Sequence, residues 1–257
     1  LDMTVVLQDG TECAFTPEGN AELTEREVET ALIKVDMEFC PRKLRGKYPE
    51  YLIRNNALAE GEKLPFEEYI VNFIIDSIND QIEVMMWQGD TTLVDDKTRK
   101  WINGFLKIAK TEEDVIDVAI AANKSAYDAI LDVYMAIPEK VLEMSPEIYV
   151  SPALFRKFVQ EMVAKNWYQI TVGAPQDEFT LPGTDIKVVK IKGLAGTRNI
   201  VATFPKNLFY ACDMEDDNED IDLWYSKDDR VFKLEVLFNS GVEIAYPDMV
   251  VLGEIAA

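Results

Sequence analysis

The spacing of apolar positions changes along the chain. Through the middle it follows steps of three and four, and from about residue 178 it follows steps of two. Pro65 opens the longest helical stretch, where proline's missing N–H costs nothing. Phe66, Tyr69, Ile70, Phe73, Ile74, Ile78, Ile82, Met85 and Met86 then form one stripe to about Gln88. A helix of that length spans roughly 35 Å, about the width of a compact body with a radius of gyration near ~18 Å. It reads as a structural axis, its Met and aromatic stripe as core. Gly89 suits a left-handed helix terminus, and residues 91–104 read as a loop with Trp101 packed beneath it.

Shorter elements flank this axis. Residues 4–7 and 11–15 around Asp9-Gly10 predict a hairpin. Thr24 with Glu27 forms a capping box, and Val28, Leu32, Val35 and Phe39 follow at helical spacing until Pro41, predicting a helix. Thr111 followed by acids predicts another helix, with Val115, Val118, Ala119 and Ala122 on its apolar face. Ala126, Ile130, Val133, Tyr134 and Ile137 predict a helix stopped by Pro138. Residues 147–150 read as a strand, and Ser151-Pro152 caps a helix bearing Leu154, Phe155, Phe158, Met162 and Val163. Strands are predicted at 186–191, 199–204 and 223–226, and 208–212 reads as a short strand or the end of a small helix. A last pair, Phe232 to Phe238 and Val242 to Tyr246, is joined by a turn at Asn239-Ser240-Gly241. Helices followed by strands indicate an α+β fold with an antiparallel sheet.

Composition narrows the chemistry. The 257 residues are 48% hydrophobic and 28% charged, which excludes disorder as the main state. No apolar run approaches the ~20 residues of a membrane span. The start, Leu1-Asp2-Met3, has neither the basic nor the apolar part of a secretory signal, and without an initiator Met it suggests a processed chain. A net charge of −21 disfavours binding nucleic acid through a basic surface. The complete absence of histidine removes the commonest general base and metal ligand. Cys13, Cys40 and Cys212 are odd in number and far apart, as in a reducing compartment.

Two charge clusters stand out. Arg42, Lys43, Arg45 and Lys47 make a basic island within 41–65, a stretch with little periodicity. Asp213, Glu215, Asp216, Asp217, Glu219, Asp220 and Asp222 make an acidic run. That run lacks the central glycine and closing glutamate of an EF-hand loop. Gly193 to Gly196 lacks the Gly-Lys-Thr of a phosphate loop and reads as a turn. Cys40 beside Pro41 and Arg42 has no base to activate it. No catalytic, cofactor or metal site is expected; the two clusters are expected to meet across a subunit interface.

From about 66 to 252 the chain resembles the major capsid proteins of tailed bacteriophages, the Hong Kong 97-type fold. The resemblance rests on several stretches in order. Trp87-Gln88-Gly89-Asp90 closes the long helix, with Asn103-Gly104-Phe105-Leu106 soon after. Tyr149-Val150-Ser151-Pro152 leads into a helix, and Leu181-Pro182-Gly183-Thr184 precedes a strand. Residues 202–210 (ATFPKNLFY) are followed by Asp213, and a strand pair with Gly241 precedes Tyr246-Pro247. It implies a spine helix at 65–88 in a peripheral-type domain made of 1–110, with an N-terminal arm or loop, and 205–257. It implies a helical axial-type lobe at 111–204.

It further implies a structural shell protein and not an enzyme: a homo-oligomer of hexamers and pentamers in a phage or prophage virion, assembled in the bacterial cytoplasm. Other virion or scaffolding proteins would be its partners, with no cofactor, no specific nucleic-acid binding and no membrane. A nanocompartment (encapsulin-like) shell protein and a carboxylate- or calcium-dependent enzyme are the alternatives.

Overall fold

The computed structural model describes residues 2–4, 20–22, 25–40, 66–165, 177–212 and 220–256. In chain order the elements are β1 (Asp2–Thr4), β2 (Asn20–Glu22), β3 (Ala31–Phe39), α1 (Phe66–Gln88), α2 (Phe105–Thr111), β4 (Ile116–Ile120), α3 (Ala126–Met135), α4 (Glu139–Leu142), β5 (Glu147–Val150), α5 (Pro152–Ala164), β6 (Glu178–Thr180), β7 (Lys187–Lys190), β8 (Asn199–Thr203), β9 (Leu208–Cys212), β10 (Asp220–Ser226), β11 (Val231–Ile244) and β12 (Val251–Ile255). Short 3₁₀ turns occupy Lys192–Leu194, Pro205–Asn207 and Pro247–Met249. The predicted hairpin at 4–15 and the basic island lie outside the described residues, apart from Thr4 in β1.

α1 is a single helix of 23 residues, about 35 Å long. Ile74 and Met85 are buried, and Ile78, Ile82 and Met86 are half-buried against the same core. That core is shared with an antiparallel sheet built on β11. β3 pairs with one side of β11 over 232–240. The other side carries β10, against 231–237, and then β9, against 240–244. Ile33, Leu234, Val236 and Phe238 form the buried face of the sheet.

Two sequence expectations fail here. The helix predicted over 28–39 is strand β3. Ile33, Val35, Met37 and Phe39 alternate with Lys34, Asp36 and Glu38, a period of two. The helical reading depended on Leu32, which is 59% exposed. The turn predicted at Asn239-Ser240-Gly241 is absent, because β11 runs through it without interruption. Ser240 is paired on both sides, with Ala31 and with Cys212. Gly241 is there because the backbone at Glu29 crosses directly over it: a Cβ at 241 would overlap the Glu29 carbonyl oxygen.

A second core lies in a mixed six-stranded sheet, ordered β4-β12-β8-β5-β7-β6. Two of its ladders, β12 with β4 and β5 with β7, are parallel, where the sequence suggested antiparallel pairing alone. α3 and α5 bury Ile130, Val133, Phe158 and Met162 in this core. Both helices start as predicted, with Ser125 and Ser151 accepting from the backbone N–H of Asp128 and Leu154. The Glu161 carboxylate of α5 reaches across to accept from the first N–H groups of α3, Ala126 at 2.9 Å and Tyr127 at 2.8 Å.

The helix predicted from Thr111 is corrected in the same way. Thr111 ends α2, and 116–120 form strand β4, parallel to β12. Ile116, Val118 and Ile120 alternate with Asp117 and the exposed Ala119. Pairing to β12, more than a hundred residues away, overrides a local pattern compatible with helix. β12 pairs with both β4 and β8, so residues 251–255 join the elements of 111–204 and leave those of 205–250. No helix among the described residues is long and apolar enough to cross a membrane.

The crossing at Gly241 yields a stability test. Gly241→Val is expected to lower stability by about 1–3 kcal/mol, as overpacking against a fixed backbone does. Gly183→Ala, at φ +83° with open space around it, is expected to cost about 1–2 kcal/mol, from conformation alone. Urea unfolding midpoints of the two variants check this.

Candidate functional site

α1 ends at a joint made from residues the sequence marked. Trp87 is buried, its ring set edge-on to Phe105 at 5.2 Å and tilted against Tyr149 at 5.4 Å. Gly89 is not left-handed; the left-handed glycines among the described residues are Gly183 and Gly196. Its N–H continues the helix to the Met85 carbonyl at 2.8 Å, and its own carbonyl accepts from the Gly104 N–H at 2.9 Å. A Cβ on Gly89 would overlap the Ile102 carbonyl oxygen, and one on Gly104 would sit 2.6 Å from the Gly89 nitrogen. Glycine is needed at both positions because two backbone segments touch.

Around this contact the loop 90–104 is held by its own side chains. Asp90 accepts from the Thr92 hydroxyl at 2.7 Å, from the Thr92 N–H and from Lys107, and these hold its carboxyl below the usual range. Asp96 accepts from the backbone N–H groups of Arg99 and Thr98 and from the Arg99 guanidinium, which bring its pKa to about 2. Asn103 accepts from the N–H and hydroxyl of Thr91. Trp101 is 43% exposed and not packed beneath the loop; its indole donates to the Lys97 carbonyl, and Lys100 lies 4.9 Å from the ring centre.

The joint also fastens the second core. Gln88 donates to the carbonyls of Gly193 at 2.6 Å and Ala195 at 3.0 Å, while the Gly193 N–H donates to Glu83 at 2.9 Å. A Cβ on Gly193 would press into the Trp87 ring at 2.5 Å. Lys192 pairs with Asp80 at 3.0 Å. The turn at 193–196 is present as predicted, but it serves as the seat for the end of α1.

A second polar node lies between β8 and β9. Asn207 is fully buried. Its amide donates to the Thr203 hydroxyl and the Tyr246 carbonyl at 2.9 Å each, and its oxygen accepts from the Tyr246 N–H at 2.7 Å. Sequence reading passed over this residue; its only signal was a polar side chain between Pro205-Lys206 and an apolar run. Arg26 was passed over too. It pairs with Glu112 and with Glu243 at 3.3 Å, holding residues 25–30 across β11.

These arrangements orient backbone and bury polar atoms; Asp90 and Asp96 are each occupied as acceptors in a turn. Among the described residues no group of three or more Asp, Glu, Cys or His is placed to hold a metal. Cys40 is half-buried and Cys212 exposed. Arg42, Lys43, Arg45, Lys47, Asp213, Glu215, Asp216, Asp217 and Glu219 lie outside the described residues. Asp220 is the first residue of β10, opposite Leu237, and Cys212 closes β9 opposite Ser240.

Compared with solved structures, the whole chain superposes on shell proteins. A chain of the satellite phage P4 procapsid matches with a TM-score of 0.63 and 13% identity, covering 99% of this chain and 86% of that one. A chain from the capsid of a native GTA particle matches at 0.60 and 14%, covering 100% and 82%. One from Gordonia phage Cozz matches at 0.56 and 10%, covering 99% and 81%. The chain has the fold of phage capsid proteins. No protein-family model and no curated protein sequence matches it. Within that fold the joint couples two cores through Trp87, Gly89, Gly104 and Gly193.

Two outcomes follow. Asn207→Ala leaves the half-buried Tyr246 N–H and carbonyl without their side-chain partner and is expected to cost about 1–3 kcal/mol in chemical denaturation. Because the folded pKa of Asp96 lies below its unfolded value, its contribution is complete above about pH 4 and is lost as pH falls toward about 2. Asp96→Asn should therefore lower the melting temperature at pH 7 and leave it nearly unchanged at pH 2.

Proposed function

We propose that this chain is a structural shell subunit, the major capsid protein of a tailed phage or prophage, which assembles into hexamers and pentamers around DNA in the virion. The observation that carries the proposal is the full-length superposition on procapsid and capsid chains. The charge agrees. At −21 per subunit, a wall of such subunits repels packed phosphates and does not trap them. The role is structural and not enzymatic, in keeping with a chain that has no histidine. α1 acts as the spine of a peripheral domain drawn from 1–110 and 205–250. Residues 111–204 form the axial lobe, and the pairing of β12 with β4 and β8 supports adding 251–255 to it.

Assembly uses the two charge clusters. Arg42, Lys43, Arg45 and Lys47 of one subunit face Asp213, Glu215, Asp216, Asp217, Glu219 and Asp220 of the next. The roots of the two segments lie on opposite sides of β11. β3 ends at Phe39, opposite Phe232, while β10 begins at Asp220, opposite Leu237 on the other side of β11. Five strand positions amount to roughly 17 Å, about twice the ~8 Å Debye length at physiological salt. Exposed pairs contribute only ~0–1 kcal/mol each, so the contact acts by repetition around a ring and by steering approach.

Negative-stain microscopy of the purified protein, with and without Arg42, Lys43, Arg45 and Lys47 all changed to serine, tests both statements. Rings or shells are expected for the wild type at low salt, and their yield should fall severalfold in the variant. Absence of any assembly sinks the shell reading. Equal assembly of the variant sinks the charge contact alone. Nucleic acid within purified particles agrees with a capsid; protein cargo without nucleic acid would favour a nanocompartment.

A further inference from the structure

Between α1 and the inner face of β3 and β11 lies an apolar groove of about 290 Å³, lined by Ile33, Val35, Ile74, Ile78, Ile82 and Phe238. This is about twice the 150 Å³ that binds benzene in an engineered apolar cavity. The loop 90–104 forms one wall through Lys97, Thr98 and Trp101. Thr98 is engaged with Gln81 at 2.9 Å, and Lys34 on the opposite wall is held by Glu235 and Asp36. Lys97 and Lys100 have no carboxylate partner among the described residues, so the wall of this acidic protein at 97–101 is locally basic.

The same loop carries the complementary feature. Val94 is 81% exposed, more than any other large apolar residue described, and sits beside half-buried Leu93. The exposed Asp95 follows it. An apolar side chain with an acid beside it is complementary in polarity and charge to an apolar groove with Lys97 at its wall and Lys100 over the adjoining Trp101 ring. We propose that Val94 of a second copy of this chain seats in the groove between α1 and β3, with Asp95 of that copy against Lys97 and Lys100. This deepens the shell reading, on which it rests, by naming one contact between subunits. One side chain falls far short of the ~1,000 Å² that an independent interface needs, so the contact works alongside others in an assembled particle. Burying Val94 is worth enough to change the critical concentration for assembly by about tenfold.

The test uses the full chain with p-benzoyl-phenylalanine in place of Val94, irradiated under assembly conditions and after dilution to subunits, with cross-links mapped by mass spectrometry. Expected are intersubunit cross-links to peptides spanning 33–37, 74–85 or 97–101, only in the associated state. Val94→Asp should raise the critical concentration about tenfold while leaving the subunit's melting temperature unchanged. Shells that form with cross-links elsewhere, or a Val94→Asp protein that assembles at the wild-type concentration, overturn this contact and leave the shell reading intact. Groove cross-links in a dimer that never forms shells keep the contact and overturn the shell reading. No self-association at any concentration overturns both.

Discussion

The contact between the backbones of Gly89 and Gly104 is the constraint on which the rest is arranged. With the Gly104 N–H bonded to the Gly89 carbonyl at 2.9 Å, the loop 90–104 must leave α1 and return to the same point. That fixes where α2 begins, and Phe105, the first residue of α2, is thereby brought against Trp87. The other side of Trp87 is closed by Gly193 and Tyr149, both from the chain that builds the second sheet. A methyl group on any of these three glycines would strike backbone or a buried ring. Interiors packed at crystal-like density have no slack to absorb it. The joint therefore transmits position: moving the end of α1 moves both cores.

The two cores are also interlocked by the order of the chain. β11 supports three other strands, and after Ile244 the chain turns at Pro247–Met249 and enters the other sheet as β12. Asn207 sits at this transfer. Its three hydrogen bonds tie the end of β8 to the segment that leaves β11, and a fourth runs from the Ala245 N–H to its carbonyl. A buried amide satisfied on every side specifies one arrangement, because any shift in register leaves a polar atom without a partner.

Much of this was legible in the sequence, and the pattern of failures has a physical basis. α1, α3 and α5 were readable because a long amphipathic stripe, or a serine cap followed by proline, is local information. β8 was readable as a short apolar run between the turn at 193–196 and Pro205, and it is buried along its whole length, whereas 208–212 fitted a strand or the end of a small helix equally and became β9 by pairing with β11. β3 and β4 were misread as helices because short segments with apolar residues at mixed spacing satisfy either period, and the deciding partners, β11 and β12, lie more than a hundred residues away. Gly89 and Gly241 were read through the commonest use of glycine, a left-handed or turning backbone. Here both serve close approach, which depends on a segment distant in sequence and cannot be seen locally. The resemblance pointed to the fold that the solved capsid chains share, and two of the stretches it rested on, Trp87-Gln88-Gly89-Asp90 and Asn103-Gly104, form the joint itself.

If the chain assembles as proposed, charge sets the terms on which its copies meet. At −21 apiece, neighbours repel, and salt weakens that repulsion as well as any attraction between a basic and an acidic segment. The response of the wild type to salt thus mixes two effects of opposite sign. Replacing four cations by serine makes each subunit more negative by four, which strengthens the repulsion as it removes the attraction. A charge-neutral exchange separates them: reversing Arg42 and Lys43 to glutamate while reversing two acids of 213–220 to lysine keeps the net charge at −21. If local pairing governs assembly, this swapped chain assembles with itself as the wild type does, and each single-cluster reversal fails alone. If bulk charge governs, assembly follows the net charge of each variant and is indifferent to where the reversed residues lie.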